Sequence, residues 1–166
     1  MGAPPKPRVS LLSLRMTPMA RNDAASPLEP GNWEILRQPQ HTLLQAYAPT
    51  LDGAFAAAAA GVASLLGDGV GLRALQPLHL QFDAAGPEEL LLEWVDRLAR
   101  EATNRGMGFA RFAVAVDTCR LRATAWGEAL DAARAPRRRG LPDGARQARV
   151  RRLDDGRWMA QCRFGA

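Results

Sequence analysis

The chain has 166 residues, 47% of them hydrophobic and 23% charged, with a formal net charge of +5. That length makes one domain with a sizeable core, and its longest apolar stretch, residues 54–66, carries Gly61 and Ser64 and falls short of the ~18–20 residues of a membrane span, which excludes an integral membrane protein built on helices. Two cysteines and two histidines are too few for a disulfide scaffold or a CxxC zinc site, and a reducing cytoplasm is the expected setting.

Residues 1–32 read as a disordered tail or a start-site artefact, with Met16 or Met19 as the true start. Six of the twelve prolines fall within the first thirty positions, and no amphipathic period develops. Texture changes at Trp33. Residues 33–37 form a short strand, Gln38-Pro39-Gln40-His41 a polar break, and 42–47 a second strand. Thr50 is placed as the N-cap of a helix over 51–66, whose Leu51, Phe55, Ala58, Val62 and Leu65 lie on one face. Gly67-Asp68-Gly69 ends it.

Residues 77–83 alternate strictly, with Leu78, Leu80 and Phe82 inward and His79, Gln81 and Asp83 outward. Gly86-Pro87 opens the second helix, with Glu88 and Glu89 at its positive end. Leu90, Leu91, Trp94, Val95, Leu98 and Ala102 form its buried stripe, and Glu93–Arg97 and Asp96–Arg100 pair on the wet side. Four strands follow, over 109–116, 119–126, 145–153 and 157–164. Asp117-Thr118 links the first two as a hairpin, and Asp154-Asp155-Gly156 turns the last two. Cys119 and Cys162 both fall on inward faces as inert small hydrophobes. The core is expected to hold Phe55, Val62, Leu65, Leu80, Phe82, Leu91, Trp94, Leu98, Phe112, Val114, Leu121, Trp126 and Trp158. The fold class is therefore α+β, two helices packed on one face of a mainly antiparallel sheet of about six strands.

Charge is uneven. Residues 33–133 carry −4, while 134–166 carry +7. Such a basic end favours nucleic acid or an acidic protein partner. High-GC codon usage accounts for it equally well, because Lys6 is the single lysine among 22 basic residues. The loop with Arg134, Arg137, Arg138 and Arg139 is the most functional-looking local feature, since guanidinium forks suit phosphate. It lacks interleaved aromatics, so base stacking is not indicated there. Asp143, Asp154 and Asp155 read as loop and turn residues rather than cation ligands. No Walker loop, GxGxxG, HExxH or GxSxG occurs, and no nucleophile–base pair stands out, so no catalytic residue is assigned.

Several stretches in series resemble the archease family. They are Trp33-Glu-Ile-Leu36, Ala46-Tyr-Ala-Pro-Thr-Leu51 leading into an Ala/Phe helix, Glu89-Leu-Leu-Leu-Glu-Trp-Val95, Phe109-Ala-Arg-Phe-Ala-Val114, Ala123-Thr-Ala-Trp-Gly-Glu128 and a closing Gly-Arg-Trp hairpin. The resemblance covers 33–166 and implies a small α+β accessory protein. Archeases promote guanylylation and multiple turnover of RtcB-type RNA ligases in tRNA splicing and RNA repair, and are not themselves ligases. The family also carries a divalent metal on Asp and His. Counting back from Ala46-Tyr47, the family's His-Thr-Ala-Asp falls on Gln38, Pro39, Gln40 and His41. Later family ligands fall near Ala135, near Arg146 and at Gly165. Gln, Ala, Arg and Gly cannot replace carboxylates or imidazoles. His41 is the one candidate ligand left, and no metal is assigned.

Two readings stand. One is an archease-type accessory protein acting by contact with an RtcB-type ligase, and with RNA. The other is a degenerate archease-fold binding module without metal or ligase activation, contacting nucleic acid or an acidic protein through its basic C-terminal third. The expected contacts are Arg137, Arg138, Arg139 and Arg146.

Overall fold

The computed structural model describes residues 31–67, 71–131 and 145–165. Nine elements run β1 (Asn32–Arg37), β2 (His41–Ala48), α1 (Leu51–Leu66), β3 (Gln76–Asp83), α2 (Pro87–Arg105), β4 (Met107–Val116), β5 (Arg120–Ala129), β6 (Ala145–Arg152) and β7 (Trp158–Gly165). The chain is α+β, as its periodicities predict. Among the described residues seven strands, close to the expected number of about six, form two sheets instead of one. Their orders are β1-β2-β7-β6 and β3-β5-β4, all antiparallel.

The division follows from α1. Nine of its 16 residues are buried, which is more than one stripe, so a single sheet face cannot cover it. It packs against β2 of the first sheet and β4 of the second. Small residues let the backbones close up: a Cβ on Gly53 would lie 2.9 Å from the Ala48 Cβ, and one on Gly61 would lie 2.4 Å from a Leu44 methyl. Thr50 caps the helix, its Oγ1 accepting from the Gly53 N–H at 3.0 Å.

Helix α2 begins at Pro87 after Gly86 and ends where Gly106 takes φ +64 and donates to the Ala102 carbonyl. All six residues of its expected stripe are buried. Arg97 pairs with Glu93 and Arg100 with Asp96, and Arg105 adds a third such pair with Glu101. The Trp94 indole N–H donates to the Phe55 carbonyl at 3.1 Å, which ties α2 to α1. Glu88 at the α2 N-terminus accepts from the Val150 N–H of β6.

Two expectations about the core change. Trp126 lies on the outer face of β5 with Arg122 and Thr124, half-buried, and the Arg111 guanidinium stands 4.4 Å from its ring. Cys119 is exposed. The two-residue link of that hairpin is Thr118-Cys119, one position later than expected, because the Asp117 N–H bonds the Arg120 carbonyl and the Asp117 carboxylate accepts from the Thr118 N–H. Cys119 therefore stands at the turn, outside the face the helices cover. Leu80, Phe112, Val114 and Trp158 are only partly buried against the core.

Candidate functional site

The inner face of the four-stranded sheet is mostly apolar and packs against both helices, with Arg37 and Arg152 exposed at strand ends, so most of the sheet's polar side chains stand on its outer face. Alternation fixes which residues stand there, and the ladder register places them in rows. One row runs Glu34, Gln45, Gln161, Arg149 across β1, β2, β7 and β6; the next runs Leu36, Leu43, Arg163, Gln147; a third runs Asn32, Tyr47, Met159, Arg151. The middle row is bonded at its centre, Gln45 Nε2 donating to Gln161 Oε1 at 2.8 Å. The Tyr47 hydroxyl donates to Gln45 Oε1 at 3.3 Å, and Arg157 stands 5.3 Å from the Tyr47 ring centroid. Met159, though outward, is buried.

His41 opens β2 and is paired directly with Gly165. The structure thus brings together two of the positions that the sequence comparison places on the family's metal ligands. Their chemistry is not that of a cation site. Arg163 reaches into the corner, one guanidinium nitrogen 3.4 Å from His41 Nδ1 and another 3.5 Å from Gln147 Oε1. Among the described residues no three His, Cys, Asp or Glu side chains converge. One imidazole facing a guanidinium, with glycine opposite, does not fit a hard divalent ion, which takes oxygen ligands and is repelled by fixed positive charge. Gln38 lies in the turn before His41, its N–H bonded to the His41 carbonyl, which holds the β1–β2 connection.

Arg137, Arg138 and Arg139 lie outside the described residues. Arg146 falls in β6 at the register irregularity between Ala145 and Gln147. Arg149, Arg151 and Arg163 are exposed on the outer face of the sheet, and Arg37 and Arg152 are exposed at strand ends in the opposite phase. The signal of the outer three was present in the sequence as the period-2 runs Arg149-Val150-Arg151 and Gln161-Cys162-Arg163.

Elsewhere several titratable groups have structural partners. Asp155 accepts from the Arg157 N–H and guanidinium in the β6–β7 turn, which holds its carboxyl below the usual value of 3.8. Gly156 turns that corner at φ +90. Asp83 is likewise lowered, chiefly by its bond from Arg120. Burial pushes the Cys162 thiol up to about 12, which makes it unreactive. His79 is exposed, its Nδ1 3.0 Å from Thr124 Oγ1. Among the described residues no carboxylate orients that ring, so the pair is a cross-strand hydrogen bond and not a triad. Glu128 accepts from the backbone N–H and the guanidinium of Arg73, pinning the segment before β3.

The model of the archease protein family (MTH1598/TM1083) matches residues 33–162. Among solved structures, the solution structure of protein 1598 from Methanobacterium thermoautotrophicum superposes with a TM-score of 0.66 at 19% identity, over 81% of this chain and 99% of that one. No curated protein matched. The family-like segments have visible physical roles: Trp94 joins the helices, Phe109 and Phe112 pack at 6.2 Å, and Glu128 ties down Arg73. With the family model spanning both sheets and both helices, the chain belongs to the archease protein family.

Proposed function

We propose that this protein is an accessory factor of an RtcB-type RNA ligase, promoting guanylylation and turnover by protein contact and carrying no catalytic site of its own. The observation that carries the proposal is the family match across 33–162. The proposal includes that the factor works without a metal at the His41–Gly165 corner, because the residues there do not fit one.

The test is ligase guanylylation and multiple-turnover RNA joining with a cognate RtcB-type ligase in Mg²⁺ or Mn²⁺, with and without this protein. Stimulation that persists in H41A establishes the accessory role and the dispensability of the corner. An active ligase that is not stimulated refutes it. The second reading, a binding module that has lost ligase activation, then holds; the guanidinium of Arg163 beside His41 is the observation that favours it.

A further inference from the structure

We infer that the outer face of the four-stranded sheet is a binding surface for single-stranded RNA, with Arg149, Arg151 and Arg163 contacting successive phosphates. The inference is independent of the ligase reading.

It starts from how arginines are partnered. On α2 each of Arg97, Arg100 and Arg105 pairs with a carboxylate one turn earlier. Arg73, Arg120 and Arg157 also hold carboxylates. Arg149, Arg151 and Arg163 are exposed, and none has a carboxylate partner among the described residues. Three uncompensated cations therefore share one face, and the one acid in its rows, Glu34, sits on the far strand β1.

Register then sets their spacing. Arg149 and Arg151 are two residues apart on one strand, about 6.6–6.8 Å. Arg163 is opposite Gln147 and so lies diagonal to Arg149, about 7–8 Å away. This is a track of positive charge with even steps, suited to a flexible polyanion whose charges also repeat. Guanidinium forks bind phosphate bidentately.

The neighbouring side chains select RNA over an acidic protein segment. The centre of the face is the bonded amide pair Gln45–Gln161, and beside it the Tyr47 ring with Arg157 stacked over it. Planar amides read base edges, and an aromatic–guanidinium stack is a base platform. A protein partner would need a broad apolar centre; here the outward aliphatic residues of the two central strands, Leu43 and the buried Met159, are separated by the Gln45–Gln161 pair.

The test uses the full chain and a fluorescein-labelled oligouridylate of about 12 nucleotides, read by anisotropy at several salt concentrations. The triple variant R149A/R151A/R163A is compared with R97A/R100A, which removes two paired arginines. Three phosphate contacts give a salt slope of about −2, or roughly an 18-fold loss of affinity between 50 and 200 mM salt. The triple variant is expected to bind at least about tenfold more weakly at low salt, with its slope flattened by about 2, and R97A/R100A is expected to bind as the parent does. Y47A is expected to weaken binding about fivefold or more without changing the slope. Thermal melting checks that each variant folds, and the single variants R149A and R151A stand in if the triple does not. No binding by the parent at low salt, or a triple variant with the parent's affinity and slope, overturns the proposal. So does an oligoglutamate of equal charge that displaces the RNA at equal concentration, which points to an acidic protein partner.

Discussion

Gly127→Ala tests the closest approach met by an added Cβ at any described glycine. A Cβ built there lies 2.0 Å from the Gly108 carbonyl oxygen and 2.9 Å from both the Gly108 carbonyl carbon and the Phe109 Cα. A carbon and an oxygen in ordinary contact stand ~3.3 Å apart or more, so the strands must separate by roughly 1.3 Å. The obstacle is backbone in a paired strand, so no rotamer change relieves it. A displacement of that size takes a ladder hydrogen bond of about 2.9 Å out of range. Losing about two such bonds at about 1 kcal/mol each, and loosening the buried Phe109 ring against Phe112, sums to about 3 kcal/mol. For a domain of this size that lowers Tm by about 10 °C. Gly67→Ala is the matched control. Its φ of −173 is extended backbone open to any residue, and nothing among the described residues lies within 4 Å of the added Cβ. The unfolded chain loses freedom, so stability rises by about 0.4–1 kcal/mol. Urea unfolding followed by tryptophan fluorescence measures both. A Gly127→Ala protein within about 0.5 kcal/mol of the parent would refute the close approach of β4 and β5, and with it the register at the bulge.

The remaining predictions concern single side chains. Titration with a thiol reagent at pH 8 should modify one cysteine rapidly in the native protein, Cys119, and a second only on unfolding, because Cys162 is buried with its thiol held near 12; two fast thiols would contradict the inward placement of β7. Trp94→Phe removes the indole bond to the Phe55 carbonyl and leaves a small cavity, and should cost about 2 kcal/mol in urea unfolding. Thr50→Ala removes the α1 cap and should cost about 1 kcal/mol in the same assay. Asp83 titrates below its unfolded value of 3.8 in the folded chain, so its contribution is present above that pH and fades as pH falls through the lower folded value. Asp83→Asn should flatten the acid limb of the stability profile below about pH 4, and an unchanged limb would show the Asp83–Arg120 pair to be energetically silent.

What the sequence made legible follows from period and punctuation. Helix α1 has the predicted bounds because Thr50 and Gly67 mark them and its apolar residues repeat at helical steps. The faces of β3 and β7 come out as read because their alternation is unbroken. Where β4 meets β5 the pattern hides a bulge: the register shifts between Phe109 and Arg111, so Phe109 and Phe112 share a face although they are three apart. Simple alternation puts those two rings on opposite faces, and no residue type at Ala110 announces the extra position. Trp126 misleads for a different reason. Its size argues for the core, but its phase, shared with Arg122 and Thr124, puts it outside, where Arg111 covers the ring. The division into two sheets is invisible locally, since it depends on which strand edges meet. The one clue was the alanine-rich texture of α1, too evenly apolar for a helix with one wet side.

The outer sheet face was half legible, and the missing half is a matter of partnership. Sequence gives the number of arginines in the last third but not which are neutralised. In the helix the spacing itself supplies a carboxylate four residues earlier, so those cations are internally compensated and their field falls off quickly in salt. On β6 and β7 the period-2 pattern sends Arg149, Arg151 and Arg163 to one side and Val150, Cys162 and Phe164 to the other, and the cross-strand neighbours of those three arginines are glutamines, leucine and methionine. Among the described residues no carboxylate pairs with them, and their fields add. The same geometry accounts for the His41–Gly165 corner. With Arg163 standing between His41 and Gln147, its positive charge disfavours a divalent ion at that corner. The preference for arginine over lysine runs through the whole chain, where Lys6 is the one lysine; it does not explain why α2's arginines are paired and those of the outer sheet face are not.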